Sequence, residues 1–405
     1  MSKRETLTFQ RSVSAPPAEV FLAFTNATAL REWFSDVAHV DARKSGQVYF
    51  AWHQGYYSAG EITKLNPDKK IALTWHGRGE PRTTQVEITL TAKKGGTNIT
   101  VLHEGVGTGK KWKQSVAAIT HGWEVGLENL QSVLETGHDQ RFTLRPTLGV
   151  TGAGELTPET ATRLGIPVQR GMRIDGAAPG MASEAAGLRK DDVIVSLGGH
   201  KVSNWPTLAA ALQTHRAGDK VVVDFYRGPE KIRVTMQLSH RPLLELPATA
   251  AVLAQDVRKM YDGVDSTLAQ VLKGVTDAEA AFHPAPDEWN VKETLAHLVL
   301  DQRDTHAWIA QLVEGDEGVS LVAASNSQIR TRATAAAYDN APALLEELRR
   351  NESETVAMLA ALPDDFVRRK RSYWRMANSI AQGAGHVDDH SRQIEAAVAG
   401  ARLPS

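Results

Sequence analysis

The hydrophobic pattern of this 405-residue chain changes period twice, and those changes limit what it can fold into. Up to about residue 140, short alternating runs such as 6–13 and 84–91 give way to one long helical stripe from about 111 to 134. From about 143 to 241, short strand-like runs are punctuated by glycine, with one clear helix at 205–215. From about 246 to 401, apolar residues recur every three or four positions almost throughout. Period two puts alternate side chains on opposite faces of a strand, and period 3.6 lays a stripe along a helix. One ordinary core does not accommodate 405 residues of three textures, so the chain reads as three units. The joints, at 136–141 and 240–247, are short, so the units touch and are not independent beads.

Composition narrows the function classes. With 46 basic and 47 acidic residues the net charge is −1, so no overall field favours nucleic acid or an anionic membrane. No apolar run approaches a membrane span. The N-terminus carries charges with no apolar segment after them, which argues against a secretory signal and points to the cytoplasm. There is no cysteine, so any metal must be held by His, Asp or Glu, and any thiol must come from outside the chain.

In the first unit a strand at 6–13 is followed by a helix opened by Pro16-Pro17 and a short helix ending in Leu30-Arg-Glu-Trp-Phe34. Strands are expected at 46–52, 60–65, 70–75, 84–91 and 98–104, with a hairpin turn at Lys94-Gly95-Gly96-Thr97. The long helix carries Val116, Ile119, Trp123, Leu127, Leu130 and Leu134 on one stripe. Arg31-Glu-Trp-Phe34, Gly60-Glu-Ile-Thr-Lys-Leu-Asn-Pro67, Thr74-Trp75 and Gly122-Trp-Glu-Val-Gly-Leu-Glu128 resemble the Hsp90-ATPase-activator-homologue branch of the START-like superfamily. The resemblance implies a helix-grip fold over residues 1–140, a curved sheet around the long helix, with a cavity for a small apolar ligand. Trp33, Trp52, Trp75 and Trp123 are then candidate cavity walls; large aromatics equally serve as core filler.

The second unit, 143–242, contains Ala-Gly-Leu at 186–188 followed by Asp192-Val-Ile194, after the opening Thr147-Leu-Gly-Val150. This resembles a PDZ domain of the HtrA type. Such domains take up a protein C-terminus as an added strand on an open sheet edge. The resemblance implies that backbone N–H groups of Thr147, Leu148, Gly149 and Val150 receive the carboxylate. Ala209 and Leu212 would face the last apolar side chain of the peptide. No Gly-x-Ser-x-Gly or Gly-Asn-Ser-Gly-Gly segment accompanies it, so no serine nucleophile is supplied.

The third unit, 246–401, reads as four helices, about 248–275, 290–313, 341–362 and 376–399, with a loop of some 25 residues between the second and third. Asn290 with Glu293 makes a capping-box start. His386 and His390 stand four apart on one helical face, and His297 lies in an earlier amphipathic stretch. With 14 histidines, about half of one such pair arises by chance, so the pair needs its context. Asp301, Asp304 and Asp389 are candidates for orienting the imidazoles or accepting protons; each also fits a solvated helix face.

Trp289-Asn-Val-Lys-Glu-Thr-Leu-Ala-His-Leu298, together with His386-x3-His390-x2-Gln-Ile394, resembles the DinB-like superfamily. The resemblance implies a four-helix bundle with His297, His386 and His390 as ligands of a divalent metal, zinc or nickel. It also implies relatives that use an external low-molecular-weight thiol. The expected whole is a multidomain α+β protein. It is either a metal-dependent transferase or hydrolase, or a non-catalytic adaptor that binds through the peptide groove and the START-like cavity.

Overall fold

The computed structural model describes residues 4–285, 288–318 and 324–402. They form two compact units, Met1–Gly137 with Leu244–Ser405, and His138–Leu243. Three textures thus become two bodies, because the first and last segments pack together.

In the first segment β1 (Arg4–Val13) leads through α1 (Pro17–Thr25) and α2 (Ala27–Trp33) into β2 (Val37–Val40), β3 (Gln47–Ala51), β4 (Tyr57–Asn66), β5 (Lys70–Gly77), β6 (Thr84–Lys93) and β7 (Gly96–Gly107). The short β2 had not been expected. The strands pair in the order β1-β7-β6-β5-β4-β3-β2, antiparallel throughout. Gly95, with φ +78°, occupies the β6–β7 turn, where a side chain would be strained. The helix α3 (Lys113–Thr136) buries Ile119, Trp123, Leu127, Leu130 and Val133 against the sheet.

The second unit contains α4 (Gln140–Thr143), β8 (Val150–Glu155), α5 (Pro158–Leu164), β9 (Met172–Ala177), α6 (Ala182–Ala185), β10 (Val193–Leu197), β11 (His200–Lys201), α7 (Trp205–Gln213), β12 (Lys220–Arg227) and β13 (Glu230–Gln237). Its sheet runs β13-β12-β10-β9-β8, with β11 attached to β10, so β8 is an edge strand. Asn204 and Thr207 form a reciprocal capping box at the start of α7.

The last segment comprises α8 (Ala250–Val271), α9 (Asp277–Ala281), α10 (Val291–Glu314), α11 (Gln328–Ala336), α12 (Ala341–Ala360), α13 (Asp364–Arg368), α14 (Lys370–Ala381) and α15 (Gly383–Ala401). Two expectations are corrected here. The long loop after α10 is not structureless: it carries α11, whose Thr331 and Ala335 are buried. The last helix starts earlier, at Lys370, and is interrupted at Gln382, just before Gly383 and Gly385. Glycine is the poorest helix former after proline, by about 1 kcal/mol per residue, so the break falls where continuation is weakest.

That break lets α14 serve both segments of the one body. Tyr373, Met376, Ala377 and Ile380 enter the bundle core with Tyr261, Ile309 and Phe366. Arg375 Nη1 and Ser372 Oγ donate to the buried Glu32 of α2 at 2.9 Å each. Arg375 Nη2 also donates to Glu317 at 2.6 Å, and Trp308 Nε1 donates to the same Glu317 oxygen at 2.7 Å. Burial pushes the Glu32 carboxyl up, and the Arg375 guanidinium pulls it back.

Candidate metal centre and peptide groove

The capping box of Asn290 and Glu293 starts α10, and Val291, Leu295 and Leu298 bury its inner face, which carries His297 inward with 3% exposure. On α15, Val387, Ile394 and Ala397 anchor the stripe that presents His386 and His390, both half-buried. His297 Nε2 lies 3.3 Å from His386 Nε2, and His390 Nε2 lies 3.0 Å from it. Three nitrogens held tetrahedrally by one zinc ion at about 2.0–2.1 Å stand roughly 3.3 Å apart, so the spacing suits a single small cation.

The opposite ring nitrogens are already engaged. His297 Nδ1 is 3.1 Å from the Ser325 carbonyl, which can only accept, so Nδ1 carries the proton and Nε2 presents a lone pair. His390 Nδ1 is 2.9 Å from Gln393 Oε1 and donates in the same sense. His386 Nδ1 faces Asp301 at 3.9 Å. Facing lone pairs repel until a cation occupies the space between them, so the donor set fits a divalent metal. Trp289 packs on two of the rings, its centroid 4.9 Å from His297 and 6.3 Å from His390. Burial holds the His297 imidazole below its ordinary value and lowers His390 to about 4, so both are neutral ligands at neutral pH.

The three aspartates separate. Asp301 stands beside His386. Asp304 is taken by Arg330 of α11 through two bonds of 2.9 Å, which pins that helix over the site. Asp389 is exposed on α15 and pairs with Arg392. Sequence reasoning passed over Ser325 and quoted Gln393 only as part of a motif, without a role. Gln393 stands three residues after His390, a spacing that helix geometry makes adjacent. Ser325 acts through its carbonyl, which no residue type announces.

In the first segment Trp33, Trp52, Trp75 and Trp123 do come together. Phe34 sits among them at centroid distances of 4.9, 5.2, 6.3 and 5.4 Å. Each indole N–H has a protein acceptor: Ala23, Phe34, Glu80 and His103 respectively. His103 Nε2 in turn donates to Thr84 Oγ1 at 2.7 Å. Burial depresses His103 to about 4, so it stays neutral within this relay.

In the second unit Leu148, Val150 and Leu212 pack in one apolar cluster. Thr147 exchanges backbone hydrogen bonds with Ser239 at 3.0 and 3.1 Å. Gly149 has φ +75°, and its carbonyl accepts from Ala178 N and Ser183 Oγ. The Trp205 N–H donates to Glu155 at 3.3 Å, tying the start of α7 to the end of β8. Ala209 is exposed on α7. The Thr147 N–H is thus already engaged, against the expectation that it receives a carboxylate, while the edge strand β8 is tied at its end to the start of α7.

Comparison with known proteins gives three family matches along the chain. Residues 14–135 match the family described as activator of Hsp90 ATPase homolog 1-like protein, 153–238 the PDZ domain, and 260–394 the DinB superfamily. The chain is thus a mixed α+β fusion of these three domain types, and the DinB match contains all three histidines. Among curated proteins, the periplasmic pH-dependent serine endoprotease DegQ of Escherichia coli is 26% identical over 189 residues, 44% of this chain and 41% of DegQ. A probable periplasmic serine protease do/HhoA-like of Haemophilus influenzae is 28% identical over 33% of this chain and 28% of its own length. The chain thus spans well under half of these relatives. Solved structures include the Aha1 dimer from Colwellia psychrerythraea, 19% identical over 32% of this chain and 96% of that one, with TM-score 0.30. An HSP90 activator from Plasmodium falciparum is 22% identical over 32% and 95%, with TM-score 0.28. No helix among the described residues is long and apolar enough to cross a membrane.

Proposed function

We propose that the helical bundle binds one divalent metal ion, zinc or nickel, on His297, His386 and His390, and activates water or an external low-molecular-weight thiol for transfer or hydrolysis. The convergence of three Nε2 atoms with their Nδ1 atoms turned to other partners carries this reading. A bound divalent ion with an open position lowers the pKa of water or a thiol toward neutrality. The chain's own part is to keep the His297 and His390 imidazoles neutral by burial, to fix the rotation of the three rings through Ser325, Gln393 and Asp301, and to cover two rings with Trp289. Elemental analysis of the purified full chain tests it. About one metal per chain is expected, lost in His386→Ala; a metal-free wild type after loading overturns the reading. A thiol-dependent role fits the cytoplasm, whereas the Deg relatives are named periplasmic, and cell fractionation separates the two.

The edge strand and the Gly149 loop favour a second, compatible activity, in which the PDZ domain receives a protein C-terminus and locates the protein on a partner. The first domain would then bind a small apolar ligand, as an adaptor without catalysis. A panel of C-terminal peptides should give binders that Ala209→Trp abolishes, since Ala209 is exposed on α7, the helix expected to face the peptide, and its replacement leaves the core intact. A panel with no binder overturns it.

A further inference from the structure

Behind His386 lies a small chamber lined by Tyr261, Asp301, Gln302, Glu352 and His386 among others, about 20 Å³ in volume. Glu352, on α12, is 1% exposed, and neither of its carboxyl oxygens has a hydrogen-bond partner among the described residues. Its charged neighbour is Asp265 of α8, whose Oδ1 lies 3.3 Å from Arg349 Nε. A buried carboxyl and a half-buried one with no donor between them do not both stay ionised; one retains a proton and supplies the missing donor. Burial and the Asp265 carboxylate both push Glu352 up, so it is the member that keeps the proton. Arg349 and Arg258 pull the other way. Tyr261 from α8, Asp301 and Gln302 from α10 and His386 from α15 complete the groups around the chamber, and His306 meets the same helix at Asn351 and Thr355.

The proposed metal centre carries an unbalanced charge. Three neutral imidazoles leave a dication uncompensated, and Asp301 beside His386 supplies one negative charge. In a low-dielectric interior a remaining positive charge shifts nearby proton equilibria strongly. We propose that Glu352 is the second counter-charge of the loaded centre: protonated in the metal-free protein, it releases its proton to solvent when a divalent cation enters on the three histidines. The balance is a dication taken up and one proton released from the Glu352 carboxyl, which becomes carboxylate. The inference rests on metal binding at the histidines and adds a residue 34 positions from the nearest of them in sequence, placed by the fold alone.

Isothermal titration of zinc into the full chain at pH 7, in two buffers of different ionisation enthalpy, counts the protons released. The wild type should release about one proton per zinc more than Glu352→Gln, because His297 and His390 are already neutral and His386 is common to both. Glutamine has the shape of the protonated acid and its amide can donate to Asp265, so the variant should fold. Asp265→Asn gives a second check: Glu352 loses the neighbour that keeps it protonated, and the count should fall toward that of Glu352→Gln. Infrared difference spectra should show a protonated-carboxyl band that disappears on zinc loading in the wild type and is absent in Glu352→Gln. Equal proton counts in wild type and Glu352→Gln, with zinc bound in both, overturn the role of Glu352 and leave the metal site standing. No zinc uptake by the wild type overturns both.

Discussion

Gln393 offers the sharpest test of how the centre is built. Its Oε1 accepts from His390 Nδ1 at 2.9 Å, which fixes the ring's tautomer and rotation so that Nε2 faces His386. Removing such a partner lowers metal affinity by roughly 10- to 100-fold, or about 1.4–2.7 kcal/mol. Gln393→Ala should show this loss in competition with a chromophoric chelator. Its metal-free circular dichroism should stay unchanged, because Gln393 is only half-buried and lies outside the apolar cluster of α15. At saturating zinc, the added stability over the metal-free form should shrink by the same amount. Gln393→Glu separates orientation from packing: glutamate only accepts, keeps the ring in the same tautomer and adds charge assistance, so affinity should hold or rise. An affinity for Gln393→Ala within about twofold of wild type would mean that this hydrogen bond does not orient the ligand, and the account of the site fails.

Three further outcomes follow from buried groups elsewhere. His103 has a folded value of about 4 against 6.5 unfolded, so its pH dependence fades out only about one unit above 6.5. As pH falls from about 7.5 to 5 the unfolded chain takes up a proton that the folded one refuses, and about 2 kcal/mol of stability should be lost in urea melts, a loss that His103→Gln removes. Arg375→Met leaves Glu32 buried without its guanidinium and should destabilise the first unit by about 3 kcal/mol at pH 7, less near pH 5 where Glu32 takes up a proton more easily; a pH-independent change would refute the mechanism. Gly149→Ala meets Met181 Cβ at 2.3 Å in a left-handed backbone and should cost about 3 kcal/mol; adding Met181→Ala should recover nothing, while Met181→Gly should recover part.

The legible features were those with local causes. Alternation in β5, where Ile71, Leu73 and Trp75 are buried, and the α3 stripe state their secondary structure outright. The capping box of Asn290 and Glu293 marks the start of α10 to the residue. The paired histidines four apart could be read as one face because helix geometry is fixed by the backbone. The short β2 escaped because four residues show too little period, and α11 because a helix with two buried residues has almost no stripe. The aspartates were ambiguous for a related reason. Asp301 and Asp304 share one helix face, and only the placement of Arg330 on α11 and of His386 on α15 decides which carboxylate reaches the imidazoles.

Residue pattern alone was therefore enough for the three textures, the absence of any internal thiol and the His386–His390 pair on one helix face, since each follows from residue identity or from spacing along one element; the three kinds of domain, and His297 as the third ligand, came from resemblance to known families. Tertiary structure decided the rest. It joined the first and last segments into one body through Glu32, Ser372, Arg375 and Glu317, which lie hundreds of positions apart in part. It set the Ser325 carbonyl against His297 Nδ1 and placed Glu352 in a chamber that His386 also lines. Those assignments depend on which side chains from separate helices share a small, poorly solvated volume, and burial there governs protonation and partner alike.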